Sequence, residues 1–584
     1  MLVPSMEFSS PQPQPTAPDV LDRTLHQLTQ HKQDWLNISI SQRITYLKQC
    51  LATLDRIAES WATASCQAKG LDPNAAIAGE EWIAGPLGTA MGLRSLITTL
   101  QTWQSGQPRS PCLRQYQGQA IAQVFPENSM ERLLLLGYRG EVWLDPDRPP
   151  SQGKIYRQPS TPEQLGSQTP SDNRPPASGQ LCLVLGAGNL SCIAPLDAIH
   201  QLFAENHTVL LKMNPVNAYI GPFLEQVFAP LITDGFLAIV YGGAETGAYL
   251  CQHPAIDTIH ITGSETTHDK IVWGEHPEQQ KATGQPKLNK PISSELGGVT
   301  PILVVPGHWS RSDLQFQARH IASMVAHNGS FDCVAGKVLV LAQDWPQREE
   351  FLTLLHQTLA QTPTRKAYYP GAQARHQAFC AAYPQHQVLS DPTAPQPPPD
   401  HLPWTILPNI PAQAGEYALT QEAFCGVLAE VTIAARTAAE FLSAAVDFVN
   451  HHVAGNLGCM VLIDPRTQRQ SSAELEAAIA TLQYGVIGIN AWAGAAFIFA
   501  GLAWGAFPGN SLHQIQSGQG FVHNTYLLDH PQKSVLRLPF RPLALPTWFV
   551  DHRTLKATAQ AFLKLTVDPS WLRFLQVAIV GLQG

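Results

Sequence analysis

One cysteine and one glutamate are the first residues of the sequence that could do chemistry together. Cys333 lies in HNGSFDCVAG, residues 327–336, just after a predicted helix end and before a predicted buried strand. A thiolate is the best protein nucleophile near neutral pH, although a free cysteine is more often a small buried hydrophobic residue. Glu295 in SSELGG could be a base or a solvated turn carboxylate. Each residue is ambiguous when taken alone.

The ten cysteines are spaced without any CxxC pair, which argues against a zinc site and a dithiol redox centre. No metal is therefore expected. Residues 1–18 lack the cationic start and the continuous apolar core of a secretory signal. We expect a cytoplasmic protein whose cysteines are thiols.

Length and charge limit the class of protein. A chain of 584 residues with 44% hydrophobic residues predicts a globular protein of two or three domains. A net charge of -8 without a basic tract gives no reason to expect nucleic acid or an anionic membrane surface as a partner. The most apolar window, residues 493–509, is short and rich in Ala and Gly, so we expect no membrane span.

The elements that must position the two residues follow from the apolar pattern. Residues 20–105 have helical periodicity, and residues 144–178 are rich in Pro, Ser and Gln. Continuous apolar runs after this break predict βαβ units and a parallel sheet: LCLVL, TVLLK, FLAIVY and TIHIT. A second alternating section begins after ELGG, with a helix predicted over roughly 312–328 and Gly329 as its C-cap. Parallel sheets bind ligands at the carboxyl ends of their strands.

An ordered set of motifs carries more information than any single one. From N to C the chain has GAGN after the first strand, Lys212 at the end of the second, and then the segments GGAETG, ITGSET, ELGG, NGSFDC and EAFCG. This succession resembles the aldehyde dehydrogenase superfamily over roughly residues 180–530.

The resemblance implies an α/β fold with two Rossmann-like parallel-sheet domains, one nucleotide-binding and one catalytic, plus a β-arm oligomerisation element. The arm is expected at residues 137–146 and after 520, which implies a homodimer or homotetramer. The expected division is 1–130 N-terminal helical region packing on the nucleotide-binding domain, 131–179 β-arm and Pro-rich connection, 180–293 nucleotide-binding domain, 294–519 catalytic domain, 520–550 C-terminal arm strand, and 551–584 C-terminal helical extension.

The resemblance also implies the reaction, which is oxidation of an aldehyde to a carboxylic acid with NAD or NADP. Cys333 would attack the carbonyl carbon, and the Asn189 amide with the Cys333 backbone N–H would stabilise the resulting oxyanion. Loss of hydride would leave a thioester on Cys333. Glu295 would then activate water to hydrolyse that thioester.

Seven further residues would bind the cofactor by the same resemblance. Lys212 would reach the adenosine ribose or a phosphate, and Glu422 and Phe424 would hold the nicotinamide end. The remaining positions lie in the glycine turns: Gly243, Gly247, Gly263 and Ser264. The usual K-P-x-E motif reads Lys-Met-Asn-Pro here, so the carboxylate that grips the ribose is absent and the choice between NAD and NADP stays open.

Three more departures bear on the site. His268 replaces the last glycine of the G-S-x-x-x-G turn and could bind phosphate or be a surface residue. Cys425 occupies a glycine position in EAFCG and is a competing nucleophile. Asp332, next to Cys333, would raise the pKa of the thiol if its carboxylate faced it.

Two alternatives to hydrolytic oxidation stay open. One is an acyl-transferring or reductive relative that uses a thioester on Cys333, which a requirement for coenzyme A or an acyl carrier would reveal. The other is a non-catalytic superfamily member. An inert Cys333 and no cofactor binding would indicate that second alternative.

Overall fold

The computed structural model describes residues 13–156, 178–393 and 396–584. Much of the Pro-rich connection predicted after residue 144 lies outside these ranges. The described helices are α1 (Pro18–Asn37), α2 (Ile40–Ala68), α3 (Gly79–Trp82), α4 (Gly88–Gln104), α5 (Ser129–Leu134), α6 (Ile193–Phe203), α7 (Gly221–Val227), α8 (Ala229–Thr233), α9 (Ala244–Gln252), α10 (Glu265–Trp273), α11 (Pro277–Ala282), α12 (Arg311–Ala326), α13 (Arg348–Gln361), α14 (Ala372–Ala382), α15 (Tyr417–Thr420), α16 (Ala438–His452), α17 (Pro465–Gln470), α18 (Ser472–Thr481), α19 (Leu555–Val567) and α20 (Trp571–Gly581).

Most strands belong to two sheets. The strands are β1 (Cys112–Tyr116), β2 (Gln119–Phe125), β3 (Arg139–Leu144), β4 (Leu181–Leu185), β5 (Thr208–Lys212), β6 (Leu237–Val240), β7 (Thr258–Gly263), β8 (Ile292–Leu296), β9 (Thr300–Val304), β10 (Gly336–Ala342), β11 (Arg365–Lys366), β12 (Gln387–Val388), β13 (His401–Leu402), β14 (Thr405–Ile410), β15 (Val427–Ile433), β16 (Gly458–Leu462), β17 (Val486–Ile489), β18 (Ala503–Gly505), β19 (Gly518–Gln519), β20 (Phe521–His523) and β21 (Pro531–Arg537). The smaller sheet has the order β19-β8-β7-β4-β5-β6 and the larger one β1-β2-β3-β21-β17-β16-β9-β10-β15-β14-β12.

The smaller sheet forms where continuous apolar runs predicted buried strands. Strands β4 to β8 pair in parallel, and β4 and β5 are buried along their whole length. Strands covered on both faces need apolar side chains at every position, which explains the absence of alternation. The four predicted strands are present, and the α/β class with two Rossmann-like sheets is confirmed.

The segments expected to form an arm lie inside the larger sheet. β3 pairs antiparallel with β21, and β21 pairs in parallel with β17. β1 and β2 extend the sheet beyond β3, so residues 112–125 are a β-hairpin within a region expected to be helical. The apolar character of Val142, Trp143 and Val535 suits this buried position.

The C-terminal segment contains two helices, α19 and α20. Helix α19 packs on α2, α3 and α4, so the C-terminal segment contacts helices of the first hundred or so residues. Within the described ranges no helix is both long and apolar enough to cross a membrane.

The chain changes direction sharply between α12 and β10. A capping box of Ser310 and Asp313 begins α12, which ends at Ala326 rather than near 328. Three successive residues then have positive φ: Asn328 (49°), Gly329 (65°) and Ser330 (70°). Gly329 is therefore part of a left-handed turn and not the C-cap that we predicted, and Ser330 holds a conformation that costs a non-glycine residue energy.

Candidate active site

One cavity of about 1500 Å³ gathers all ten residues predicted for catalysis and cofactor binding. It lies along the carboxyl ends of the smaller sheet and is lined on the other side by the segments that follow α12 and α15. The predicted residues on its wall are Asn189, Lys212, Gly243, Gly247, Gly263, Ser264, Glu295, Cys333, Glu422 and Phe424.

Cys333 and Asn189 both line this cavity. Asn189 is 6% exposed, and its Nδ2 donates a hydrogen bond to the Phe331 carbonyl at 3.1 Å. The Cys333 carbonyl accepts from Thr300 Oγ1 at 3.3 Å. These contacts fix the backbone on both sides of the thiol, which leaves the Asn189 amide next to the cysteine turn.

The surroundings of Cys333 favour the thiol over the thiolate. Burial raises the pKa of Cys333 well above its usual value, and the carboxylates of Glu295, Asp332 and Glu422 raise it further. The backbone N–H of Cys333 opposes this shift only in part. A positive charge brought to the cavity would favour the thiolate.

Asp332 is engaged by a histidine. Its Oδ2 lies 2.8 Å from His327 Nδ1, and both side chains are buried. Burial lowers the pKa of His327, but Glu80 and Asp332 raise it more, so the net pKa lies above the ordinary value. The carboxylate whose direction the sequence left open thus forms an ion pair beneath the turn.

A buried ionic network from the N-terminal helices supports the same turn. Lys69 Nζ donates to Glu81 at 2.8 Å and to Asn328 Oδ1 at 3.0 Å. Arg365 donates to Glu80 at 2.8 Å. Sequence reasoning missed these residues, because GEEW and Lys69 differ from surface charges only in their tertiary contacts.

Glu295 is buried at the end of β8. It is 3% exposed, and Trp504 Nε1 donates to its Oε1. Its Oε2 finds no partner among the residues described. Burial and the negative charge of Asp197 raise the pKa of Glu295 to about 8, although Trp504 opposes the shift. The carboxyl group can therefore exchange a proton near neutral pH.

Glu422 lies against the two glycines of ELGG. Burial raises the pKa of Glu422 to about 7, while Lys337 and the Gly298 N–H lower it. A Cβ at Gly297 would overlap the Glu422 carboxylate, so a glycine is required there. The Oε1 atom of Glu422 has no hydrogen-bond partner in the described part of the chain.

The positions of Cys425 and His268 decide two points that the sequence left open. Cys425 is fully buried and does not line the cavity, so it does not compete with Cys333. His268 is fully buried with its Nδ1 3.4 Å from Asp269 Oδ1, so neither a surface position nor a phosphate contact is correct for it.

The far end of the cavity is open and cationic. Lys212 is 8% exposed, and burial lowers the pKa of its ammonium group to about 8. A Cβ at Gly243 or Gly247 would meet only open space. Ser264 caps the N-terminus of α10, where helix N–H groups favour an anion.

These residues fit a dinucleotide. The unpartnered Glu422 oxygen suits a ribose hydroxyl, and the α10 N-terminus suits a pyrophosphate. Lys212 lies beside the open turn, where the adenosine half would fit.

The sequence matches known proteins over a limited segment. Residues 174–379 match the model described as aldehyde dehydrogenase family. Human 4-trimethylaminobutyraldehyde dehydrogenase is 30% identical over 126 residues, and the Oryzias latipes enzyme of the same name is 27% identical over 125. Each match covers 21% of this chain and 23% of the relative, so the chain matches about a quarter of the length of these relatives.

Solved structures match over nearly the whole chain. Aldehyde dehydrogenase C from Pseudomonas syringae, solved with NAD+ and octanal, has a TM-score of 0.57 at 17% identity, with 90% of each chain covered. NADP-dependent glyceraldehyde-3-phosphate dehydrogenase from Bacillus halodurans, solved with NADP, has a TM-score of 0.58 at 14% identity, covering 90% of this chain and 92% of that one. At these identities the likeness establishes the fold.

Proposed function

We propose that this chain, which belongs to the aldehyde dehydrogenase superfamily, oxidises an aldehyde to a carboxylic acid with NAD or NADP. The observation that carries the proposal is the single cavity that joins Cys333, Asn189 and Glu295 to the dinucleotide-shaped space around Glu422 and Lys212.

In the first step the S–H bond of Cys333 breaks, its proton passes to water in the cavity, and Sγ forms a bond with the aldehyde carbon. The carbonyl oxygen becomes negatively charged, and the Asn189 amide and the Cys333 N–H donate to it. Donors fixed in advance at such an oxygen are worth about 3 kcal/mol each. The hydrogen bond from Asn189 to Phe331 supports this role, since it keeps the amide beside the turn.

When bound, the nicotinamide cofactor supplies the acceptor for the hydride that leaves the former aldehyde carbon. Glu422 and Phe424 hold its nicotinamide end, while Lys212, Gly243, Gly247, Gly263 and Ser264 line the path of its adenosine half. Cys333 is left carrying the acyl group as a thioester.

Glu295 completes the cycle by hydrolysis. Its carboxylate takes a proton from water as the water oxygen attacks the thioester carbon. The C–S bond breaks, its electron pair returns to Cys333 Sγ, and the carboxylic acid leaves. A pKa of about 8 for Glu295 suits a base that works near neutral pH.

We also propose the domain division given above and a homodimer or homotetramer. The assembly proposal is supported by β1, an outer strand of the larger sheet that, among the described strands, pairs with β2 alone. An exposed edge strand offers unpaired backbone groups to another chain, and Leu113 on it is 52% exposed. Size-exclusion chromatography with light scattering measures the subunit number.

The function is tested by following reduced cofactor across a panel of aldehydes with NAD and NADP. We expect no turnover from Cys333→Ala. We expect Glu295→Gln to give a single burst of reduced cofactor and then stall, because the thioester forms but is not hydrolysed. Steady-state activity in Cys333→Ala would overturn the proposal.

Acyl transfer is the second candidate, and the contact of Glu295 with Trp504 favours it. Because the Trp504 indole holds one oxygen of Glu295, this carboxylate would activate water less readily. The thioester would then persist until an acyl acceptor other than water reacts with it. A burst without coenzyme A, followed by turnover only when coenzyme A is added, would establish this candidate. The absence of both a burst and cofactor binding would instead indicate a non-catalytic protein.

A further inference from the structure

A set of buried polar side chains lies behind Glu295, on the side of β8 that faces α6. Thr262 is directly opposite Glu295 in the β7–β8 register, and His260 is opposite Ser293. Paired residues point to the same face of a sheet, so these four side chains form one polar strip. Together with Asp197 on α6 and His523 on β20 they are called the polar chamber.

Asp197 covers the strip from above. Its Oδ2 accepts from Thr262 Oγ1 at 2.8 Å and lies 3.6 Å from His260 Nε2. His260 Nδ1 lies 2.9 Å from Ser293 Oγ. Helix α6 and strands β7 and β8 therefore contact one another through polar side chains here, although a helix normally packs on a sheet through apolar side chains.

Aromatic side chains close the remaining side. The Phe497 ring is 4.1 Å from the His523 ring and 5.1 Å from Trp504, between centroids. Trp504 donates to Glu295, so the chamber begins at the proposed base itself.

Five buried atoms in the chamber lack a hydrogen-bond partner among the described residues. They are Glu295 Oε2, Asp197 Oδ1, His260 Nε2, His523 Nδ1 and His523 Nε2. Leaving so many polar atoms unpaired in one place is costly, and ordered water usually satisfies such groups. This clustering is independent of the ion pairs and points to a hydrated interior.

The chamber continues to a second cavity. His200 lies one turn after Asp197 on α6, and its Nδ1 is 3.4 Å from the His523 carbonyl. Its Nε2 is 3.6 Å from Glu205, and both residues line a separate cavity of about 640 Å³. His200 and His523 also line one small gap of about 10 Å³, which is about the size of a single water molecule.

We propose that the polar chamber conducts the proton that Glu295 takes from water to the second cavity, by way of Asp197, His523 and His200. The proposal rests on the proposed hydrolysis. Each transfer moves a proton from one oxygen or nitrogen to the next through bridging water, and the last acceptor is solvent.

The charges in the chamber suit this role. Burial and the negative charge of Asp197 raise the pKa of Glu295 to about 8, so Glu295 can take up and release a proton near neutral pH. Burial lowers the pKa of His523 to about 3, so its neutral ring can take a proton on one nitrogen and release it from the other without storing charge. The other groups facing Glu295 are Trp504, which lowers its pKa, and the Cys333 thiol.

The test uses the full-length protein with Asp197→Asn and His523→Gln. Hydride transfer and deacylation are measured separately, by the burst and by the following steady rate. We expect an unchanged burst, deacylation slowed about tenfold or more, and a larger solvent deuterium isotope effect. Added imidazole should restore part of the rate, which would not occur for a merely structural defect.

The matched control is His320→Gln. His320, on α12, is also buried, and its Nε2 has no hydrogen-bond partner among the described residues, but its ring stacks on Phe549 away from the chamber. If both chamber variants deacylate at the wild-type rate, and added imidazole does not change that rate, the proposal is overturned. Absence of a burst in the wild type would instead overturn the proposed function.

An infrared titration provides a readout without turnover, in case Asp197→Asn folds poorly. The carboxyl stretch that Glu295→Gln removes should titrate at lower pH in Asp197→Asn, and its frequency should shift in His523→Gln. A Glu295 band with unchanged frequency and midpoint in both variants would show that the chamber is not coupled to the base.

Discussion

Asp332 Oδ2 lies 2.8 Å from His327 Nδ1, one residue from the thiol that the cavity presents. The pair is buried and continues into the Glu80–Arg365 ion pair below the turn. The charged residue beside Cys333 therefore anchors the left-handed turn, and its negative charge still raises the pKa of the thiol.

We expect Asp332→Asn to separate these two effects. Loss of the charge should lower the pKa of Cys333 and speed its alkylation by iodoacetamide at pH 7. Loss of the charged hydrogen bond should reduce the free energy of unfolding by about 1–3 kcal/mol. Asp447→Asn, an exposed carboxylate on α16, is the control for both measurements. An unchanged alkylation rate and an unchanged free energy of unfolding would mean that the Asp332–His327 pair neither raises the pKa of Cys333 nor stabilises the fold.

The stability supplied by His327 should depend on pH. Its pKa is raised in the folded protein, so its contribution is fully present below the ordinary value of about 6.5 and is lost as the pH rises through the folded value. His327→Asn should therefore cost more stability at pH 6 than at pH 8. Urea unfolding of both proteins at the two pH values measures this, and an equal cost at both would contradict the assignment.

Asn189→Ala should slow the reaction without preventing cofactor binding. Removal of one oxyanion donor costs roughly 10²–10³ in kcat. The burst rate with a saturating aldehyde measures the step in which the oxyanion forms and hydride leaves. Asn37→Ala, at the exposed end of α1, serves as the control. A burst rate within about twofold of wild type would exclude Asn189 from the oxyanion site.

The pH dependence of hydrolysis should follow the surroundings of Glu295. A base with a pKa of about 8 gains activity as the pH rises through that value, so deacylation should increase between pH 7 and 9. Trp504→Phe removes a donor that stabilises the carboxylate, which should move this rise to higher pH. Deacylation rates after a burst give the profile, and a shift to lower pH would show that Trp504 acts otherwise.

Much of the site could be predicted because it depends on local pattern. Buried parallel strands require continuous apolar runs, and residues at their carboxyl ends share one edge, so Asn189, Lys212 and Glu295 could be placed together. The Asp197–Thr262 contact and the Lys69 network could not be predicted, since each joins elements distant in sequence. The arm segments stay a prediction, because an apolar strand such as β3 has the same pattern in an arm and inside the sheet of its own subunit.

Lys212 should determine the preference between NAD and NADP. No carboxylate occurs among residues 212–217, and Lys212 has no ion-pair partner within the described ranges. A buried cation without a counter-ion favours an anionic ligand, and a 2'-phosphate would supply one. We expect Lys212→Met to weaken binding of NADPH more than that of NADH, measured by cofactor fluorescence, with the exposed Lys48→Met as control. Equal weakening of NADH and NADPH binding would show that the Lys212 ammonium group contacts a part that is common to both cofactors.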